Sequence, residues 1–141
     1  MNSPMKGKKY LLSGLILLCI CIAAQARVVK GFTSAKEKST GYITFKIESI
    51  DYRSDLTRVY GKLQGRPHTS ERMDELVMIL PDGRKYEATD IDGVDMKRWF
   101  QWEDSGEIDV EIDFPVIKES RSFVLKANGP KGESATKILR K

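Results

Sequence analysis

The sequence predicts an all-β fold, an antiparallel sandwich of two sheets made from seven or eight short strands. From Ile108 to Phe114, apolar residues alternate with acidic ones, which is the period-2 pattern of a strand with one buried and one solvated face. Similar short runs recur along the chain, separated by turn signals about every 8 to 12 residues, as in sandwiches and barrels. There is no heptad repeat and no clear amphipathic helix, so the pattern favours an all-β class.

Residues 1–26 are predicted to be a secretory signal peptide. Three lysines form its positively charged n-region: Lys6, Lys8 and Lys9. Residues 11–22 are apolar, and Ala24 and Ala26 fit an A-x-A cleavage site. The apolar run is about a dozen residues long, whereas a membrane-spanning helix needs roughly 20. We therefore expect an exported protein with no transmembrane segment in the mature chain, located in the periplasm, at the cell surface or outside the cell.

Cleavage after Ala26 changes the chemistry of the chain. Both cysteines, Cys19 and Cys21, leave with the signal peptide, so residues 27–141 have no disulfide and no cysteine metal site. Of the 24 Lys and Arg residues three lie in the signal peptide, and none of the 20 Asp and Glu residues does, which leaves a net charge of +1. Since the remaining cations are interspersed with acids, we do not expect a nucleic-acid partner.

The elements follow in order. Residues 27–41 show little periodicity and are predicted to be a flexible N-terminal segment or a frayed first strand. The strands predicted after it are 42–52, 56–63, 75–80, 84–89, 107–114, 121–127 and 134–139. Turn residues separate them at 53–55, 81–83 and 128–130. Residues 65–74 are predicted to be a long polar loop, 90–95 a turn, and 96–102 an aromatic segment of ambiguous structure.

His68 is the only histidine, and Thr69, Ser70 and Glu71 follow it. A small hydrolase that uses His68 can be imagined from these residue types. Such a base needs an orienting partner and a buried site, however, and His68 lies in a polar loop beside a proline. A solvated loop histidine is therefore the favoured interpretation.

Two groups of acidic residues could bind a cation. Asp90, Asp92 and Asp95 surround Gly93, as carboxylates do in a calcium loop, but the spacing lacks the other acids of an EF-hand loop. A plain Asp-Gly turn is favoured, with a calcium-dependent module as the alternative.

The second group is the acidic side of the 107–114 strand: Asp109, Glu111 and Asp113. It is more simply the solvated face of a strand, with partners such as Lys46, Arg121 or Lys126.

The segment before that strand carries much of the aromatic surface. Trp99, Phe100 and Trp102 lie beside Lys97 and Arg98. In an extended segment, Trp99 and Trp102 would face opposite sides, so we expect at least one aromatic side chain to be exposed. Exposed aromatic residues are typical of protein hot spots and sugar-stacking platforms, although a tryptophan that closes one end of a small core is the favoured interpretation. The candidate interaction surface is Lys97, Arg98, Trp99 and Trp102.

Four stretches occur in an order that resembles a known kind of domain: I-T-F-K-I-E-S-I-D (43–51), L-P-D-G-R-K-Y (80–86), D-I-D-G-V-D (90–95) and S-G-E-I-D-V-E-I-D-F-P (105–115). The order resembles the small immunoglobulin-like accessory domain that precedes the thioredoxin module in some secreted bacterial thiol-disulfide oxidoreductases. It is also similar to stand-alone secreted Ig-like domains. The resemblance covers about residues 42–140 and implies an Ig-like sandwich in the cell envelope. It transfers no catalytic residue, and because the chain has no C-x-x-C motif, it implies no redox activity.

Together these observations predict an Ig-like β-sandwich domain over residues 42–141 that acts as an exported binding or interaction module of the bacterial cell envelope. We expect no enzymatic activity, no cofactor and no bound metal. The expected partner is another envelope protein or a glycan.

Overall fold

The protein is all-β. In the computed structural model, residues 27–34 and 40–141 are described, and they contain twelve strands and no helix. The predicted signal peptide and its cleavage site lie outside the described residues. The strands are β1 (Arg27–Lys30), β2 (Phe32–Ser34), β3 (Thr44–Tyr52), β4 (Thr57–Gln64), β5 (Ser70–Glu71), β6 (Glu75–Ile79), β7 (Lys85–Glu87), β8 (Asp90–Asp92), β9 (Phe100–Gln101), β10 (Glu107–Phe114), β11 (Ser122–Gly129) and β12 (Gly132–Arg140). Nothing in this part of the chain forms a helix long and apolar enough to cross a membrane.

The strands form two main antiparallel sheets and one small ribbon. The first sheet has the order β1-β3-β4-β10-β8, and the second has the order β2-β12-β11-β6-β7. The ribbon pairs β5 with β9. The prediction of an antiparallel fold with two sheets is confirmed, and the seven predicted strands overlap β3, β4, β6, β7, β10, β11 and β12. The predicted number of seven or eight strands is too low, because five short strands were missed: β1, β2, β5, β8 and β9.

One hydrophobic core lies between the two sheets. Alternation along the strands puts one side of each inside: β10 buries Val110, Ile112 and Phe114, and β11 buries Phe123 and Leu125. The register of β10 follows from this pattern, because a slip by one residue would turn its acidic side chains into the core.

Residues 27–34 were predicted to be a flexible segment or a frayed first strand, and they form two strands, one in each sheet. β1 pairs with β3, the chain turns at Gly31 (φ 84°), and β2 pairs with β12. Val29 is buried, and the Phe32 ring meets Phe123 edge-on at a centroid distance of 6.1 Å. The local sequence gives little sign of this, since the partners of both strands are far away in the chain.

Residues 84–92 also contribute one short strand to each sheet, on the opposite side of the molecule. β7 is the edge of the second sheet, and β8 is the edge of the first. Asp90–Asp92 was predicted to be part of a turn, but it pairs with β10 and buries Ile91. All four outer strands are only three or four residues long, which limits the exposed backbone that could pair with other chains.

Two buried hydroxyl groups on β12 hold the beginning of β3. The Ser134 hydroxyl oxygen accepts hydrogen bonds from the N–H groups of Tyr42 and Ile43, at 2.9 and 3.0 Å. The Thr136 hydroxyl oxygen accepts one from the Phe45 N–H at 3.1 Å. These bonds connect the two sheets and satisfy backbone donors that water cannot reach.

Candidate functional site

Several loops meet at one end of the molecule, which we call the loop end. It consists of residues 40–43 before β3, 65–74 between β4 and β6, 93–106 between β8 and β10, and 129–132 between β11 and β12. The β5–β9 ribbon joins the second and third of these loops. The loop end contains both non-glycine residues with positive φ in the described chain, His68 (65°) and Lys97 (61°). Such strained backbone is often found at functional sites.

Trp102 closes the core beneath the loop end. Its side chain is fully buried and meets the Phe100 ring edge-on at 5.3 Å. Gly65 lies directly under the indole, where a Cβ atom would come within 2.1 Å of the ring. The backbone of Trp102 makes two hydrogen bonds: its carbonyl accepts one from the backbone N–H of His68, and its backbone N–H donates one to the Thr69 carbonyl. Trp102 therefore belongs to the core, and its inclusion in the predicted interaction surface is wrong.

Trp99 is the exposed aromatic side chain that the sequence led us to expect, with 53% of its surface accessible. The guanidinium carbon of Arg72 lies 5.6 Å from the centre of the indole ring. Asp74 holds that guanidinium with two bonds, from Nε to Oδ1 at 2.8 Å and from Nη2 to Oδ2 at 3.0 Å. These bonds raise the pKa of Arg72. The cation is thus fixed against the ring, and the exposed remainder of the ring faces solvent.

Tyr42 forms a second exposed aromatic site with a cation, and 59% of its surface is accessible. The ammonium group of Lys131 lies 5.9 Å from the centre of the Tyr42 ring. The same ammonium donates to the Ser70 carbonyl and lies 3.5 Å from the carboxylate of Glu71, whose side chain is buried. Like Arg72, Lys131 is held by a carboxylate.

Lys97 and Arg98 lie apart from the buried Trp102. Lys97 is exposed, and its N–H donates to the Met73 carbonyl at 2.7 Å, which fixes the loop before Trp99. Arg98 lines a cleft of about 490 Å³ together with Asp90, Asp95 and Met96, among others. The four residues predicted as one surface are therefore divided among the surface, the cleft and the core.

His68 has an acidic partner but no nucleophile. Its Nε2 lies 3.0 Å from Oδ1 of Asp104, with 65% and 96% of the two side chains exposed. Within the described chain, no hydrogen bond joins His68 to the hydroxyl of Thr69 or Ser70; the Thr69 hydroxyl donates to the Arg66 carbonyl instead. The pair is solvated, and a hydrolase mechanism gains no nucleophile from this geometry.

The acidic residues do not converge on a cation. Among the residues that the structure describes, no group of three or more His, Cys, Asp or Glu side chains is placed to bind a metal ion. Asp90 and Asp92 lie on β8 opposite Asp113 and Glu111 of β10. They are strand residues, which does not fit the predicted turn or a calcium loop.

The acidic side of β10 is partly neutralised by β4. Asp113 binds the Arg58 guanidinium with two bonds of 2.7 and 3.1 Å, and Asp109 lies 3.7 Å from the Lys62 ammonium. The partners suggested from sequence were different, and one of them, Lys126, pairs with Glu133 instead. The strand register explains this, because Asp109 and Asp113 lie directly opposite Lys62 and Arg58.

No protein-family model, no curated protein and no solved structure matches this chain. The candidate site therefore depends on the geometry of the loop end. Sequence reasoning found Trp99 but missed four residues that hold or accompany it: Tyr42, Arg72, Asp74 and Lys131. The spacing of Arg72 and Asp74 permits their ion pair, but nothing local indicates that the pair meets Trp99 from another loop.

Proposed function

We propose that this protein is an exported, non-catalytic binding module that uses its loop end as the binding surface. The observation that carries the proposal is the exposed indole of Trp99, fixed by Arg72 and Asp74. A large aromatic side chain exposed on a fixed support has no evident role in the core. It offers much contact area at a low entropic cost, because its surroundings are already ordered.

The composition of the loop end supports this proposal. Tryptophan, tyrosine and arginine are the residue types most enriched at binding hot spots, and Trp99, Tyr42 and Arg72 all lie here. The strained backbone of Lys97 comes two residues before Trp99 and directs the chain into this loop.

The order of the strands supports an immunoglobulin-like sandwich. If β3 and β4 are taken as strands A and B, the first sheet has the order A-B-E-D, with β10 as E and β8 as D. The second sheet then has the order G-F-C, with β7 as an additional strand beside C. β1 and β2 are additions at the outer side. We further propose that this chain is related to the envelope accessory domains that its sequence resembles; the redox activity of the thioredoxin module is not part of the proposal.

Export is proposed from the signal-peptide pattern. Lys6, Lys8 and Lys9 precede the apolar run at 11–22, and Ala24 and Ala26 fit an A-x-A cleavage site. Cleavage at that site would leave β1 intact. The proposed location is the periplasm, the cell surface or the outside of the cell.

A photocrosslinking experiment tests the binding surface. A benzophenone amino acid is placed at position 99 in one variant and at position 116 in another, since Val116 is exposed to a similar extent, at 55%. We expect irradiation of cells that export the protein to give a defined adduct from position 99 and none from position 116. Equal labelling from both positions, or none from either, would contradict a binding role for the loop end.

A further inference from the structure

We infer that the loop end binds a linear, uncharged polysaccharide, with sugar rings stacked on Trp99 and Tyr42. This inference rests on the proposed function and names the ligand class of the same surface. One face of a pyranose ring carries C–H bonds with a small positive charge, which are attracted to the negative face of an aromatic ring. Both side chains expose more than half of their surface for such a contact.

The two aromatic sites are connected by a continuous series of contacts. Trp99 contacts Arg72, Arg72 follows Glu71 of β5, and Glu71 binds Lys131, which contacts Tyr42. Both sites therefore lie at the loop end, beside the β5–β9 ribbon. A chain of sugar units has a repeating stacking surface and fits separate aromatic sites better than one small molecule does.

The β5–β9 ribbon beside these sites exposes polar side chains. Ser70 and Gln101 face each other across the ribbon, and both are exposed. A protein interface of ordinary size requires about 800 Å² on each side with an apolar centre, and serine is depleted there. Hydroxyl and amide groups near exposed aromatic rings are instead suited to hydrogen bonds with sugar hydroxyls. This arrangement favours a polysaccharide over a protein as the partner.

The charge of the loop end favours an uncharged polymer. The ammonium and guanidinium groups at the rings are each paired with a carboxylate, Glu71 for Lys131 and Asp74 for Arg72. Over residues 65–74, 93–106 and 131 there are five cations and five carboxylates: Arg66, Arg72, Lys97, Arg98 and Lys131, against Glu71, Asp74, Asp95, Glu103 and Asp104. A polyanion would find no excess of positive charge here, so stacking and hydrogen bonding must supply the affinity.

Native affinity electrophoresis of the cleaved protein tests the inference. The gels contain mixed-linkage β-glucan, xylan, galactomannan or glycogen, with alginate and heparin as charged comparisons. We expect at least one neutral polymer to retard the protein. Trp99→Ala and Tyr42→Ala should each weaken binding by about tenfold, the order of loss for one aromatic contact, while Val116→Ala binds like the wild type. Raising NaCl from about 0.05 M to about 0.5 M, which shortens the Debye length about threefold, should change the Kd less than twofold.

Three results would overturn the inference: no retardation by any neutral polymer, retardation by the charged polymers alone, or unchanged binding of both aromatic variants. If crosslinking at position 99 captures a protein while no neutral polymer binds, the polysaccharide is wrong and the binding module stands. If neither experiment gives a result specific to the loop end, both proposals fail. Circular dichroism of each variant confirms that the fold is intact.

Discussion

At the scale of single residues, the two tryptophans have opposite roles although only two residues separate them. Trp102→Ala removes a fully buried side chain and leaves a cavity beside Phe100, so we expect a loss of about 3–5 kcal/mol in the free energy of unfolding. Trp99→Ala removes an exposed ring and one cation contact, and should cost about 1 kcal/mol or less. Urea denaturation followed by circular dichroism measures both values. Similar losses in the two variants would show that Trp99 also belongs to the core.

The aromatic segment shows what could be predicted for a single residue. The sequence indicated that Trp99 and Trp102 would face opposite sides, and the structure agrees. It did not indicate which of them is buried, because that depends on Gly65, which leaves room for the Trp102 indole. Nor did it indicate Arg72 and Asp74, which reach Trp99 from another loop.

At the scale of elements, the Ser134 and Thr136 hydroxyl groups of β12 bind backbone N–H groups at the beginning of β3. Thr136→Val keeps the shape of the side chain but leaves the buried Phe45 N–H without its hydroxyl acceptor, which should cost about 1–3 kcal/mol. Thr33→Val on β2 is the matched control, since the Thr33 hydroxyl makes one exposed and longer bond of 3.4 Å. Chemical denaturation of both variants gives the comparison. A loss for Thr33→Val as large as that for Thr136→Val would contradict the role of the buried bond.

The pairing of β4 with β10 predicts a dependence of stability on pH. The pKa of Glu107 is lowered by a hydrogen bond from the Gln64 amide, at 3.0 Å, with help from Lys62, while burial opposes the shift. The folded state then holds its proton less tightly than the unfolded chain. Glu107 therefore contributes stability above its unfolded pKa, near 4.3, and this contribution is lost as the pH falls through the lower folded pKa.

Glu107→Gln tests this dependence. We expect the wild type to lose more stability than the variant when the pH is lowered from about 5 to about 2, since the variant lacks this titration. Urea denaturation at several pH values measures the difference. Glu103→Gln, which removes one exposed carboxylate in the loop before β10, controls for the change in net charge. Parallel curves for the wild type and Glu107→Gln would contradict the prediction.

Long elements were easier to predict than short ones. The alternation of β10 and the apolar run of β6 extend over five to eight residues, enough for a local pattern to show which face is buried. β1, β2 and β8 have three or four residues and form because longer strands pair with them, while β5 and β9 have two residues each and pair with each other. For this reason the sequence left open whether residues 27–34 are flexible or a frayed strand, where the structure has two strands, and the predicted turn at 90–95 was wrong over 90–92.

At the scale of the whole molecule, residues 27–34 and 84–92 each pass from one sheet to the other and form the outer strands on the two sides of the sandwich. Without residues 27–34, β3 and β12 would become the outer strands, and each of them is nine residues long. Long exposed edges pair readily with other chains, whereas β1 and β2 offer only four and three residues. The N-terminal segment therefore protects the fold as well as extending it.

Deletion of residues 27–34 tests this protection. The deletion removes the burial of Val29, worth about 2 kcal/mol, and the contact between Phe32 and Phe123. We expect a less stable protein that forms concentration-dependent oligomers, seen by urea denaturation and by size-exclusion chromatography with light scattering. Val28→Ala, which changes an exposed side chain of β1 and keeps its backbone pairing, should behave as the wild type. A deletion variant of unchanged stability that elutes as the wild type does would show that β3 and β12 need no cover, because their own twist and charge already prevent pairing with other chains.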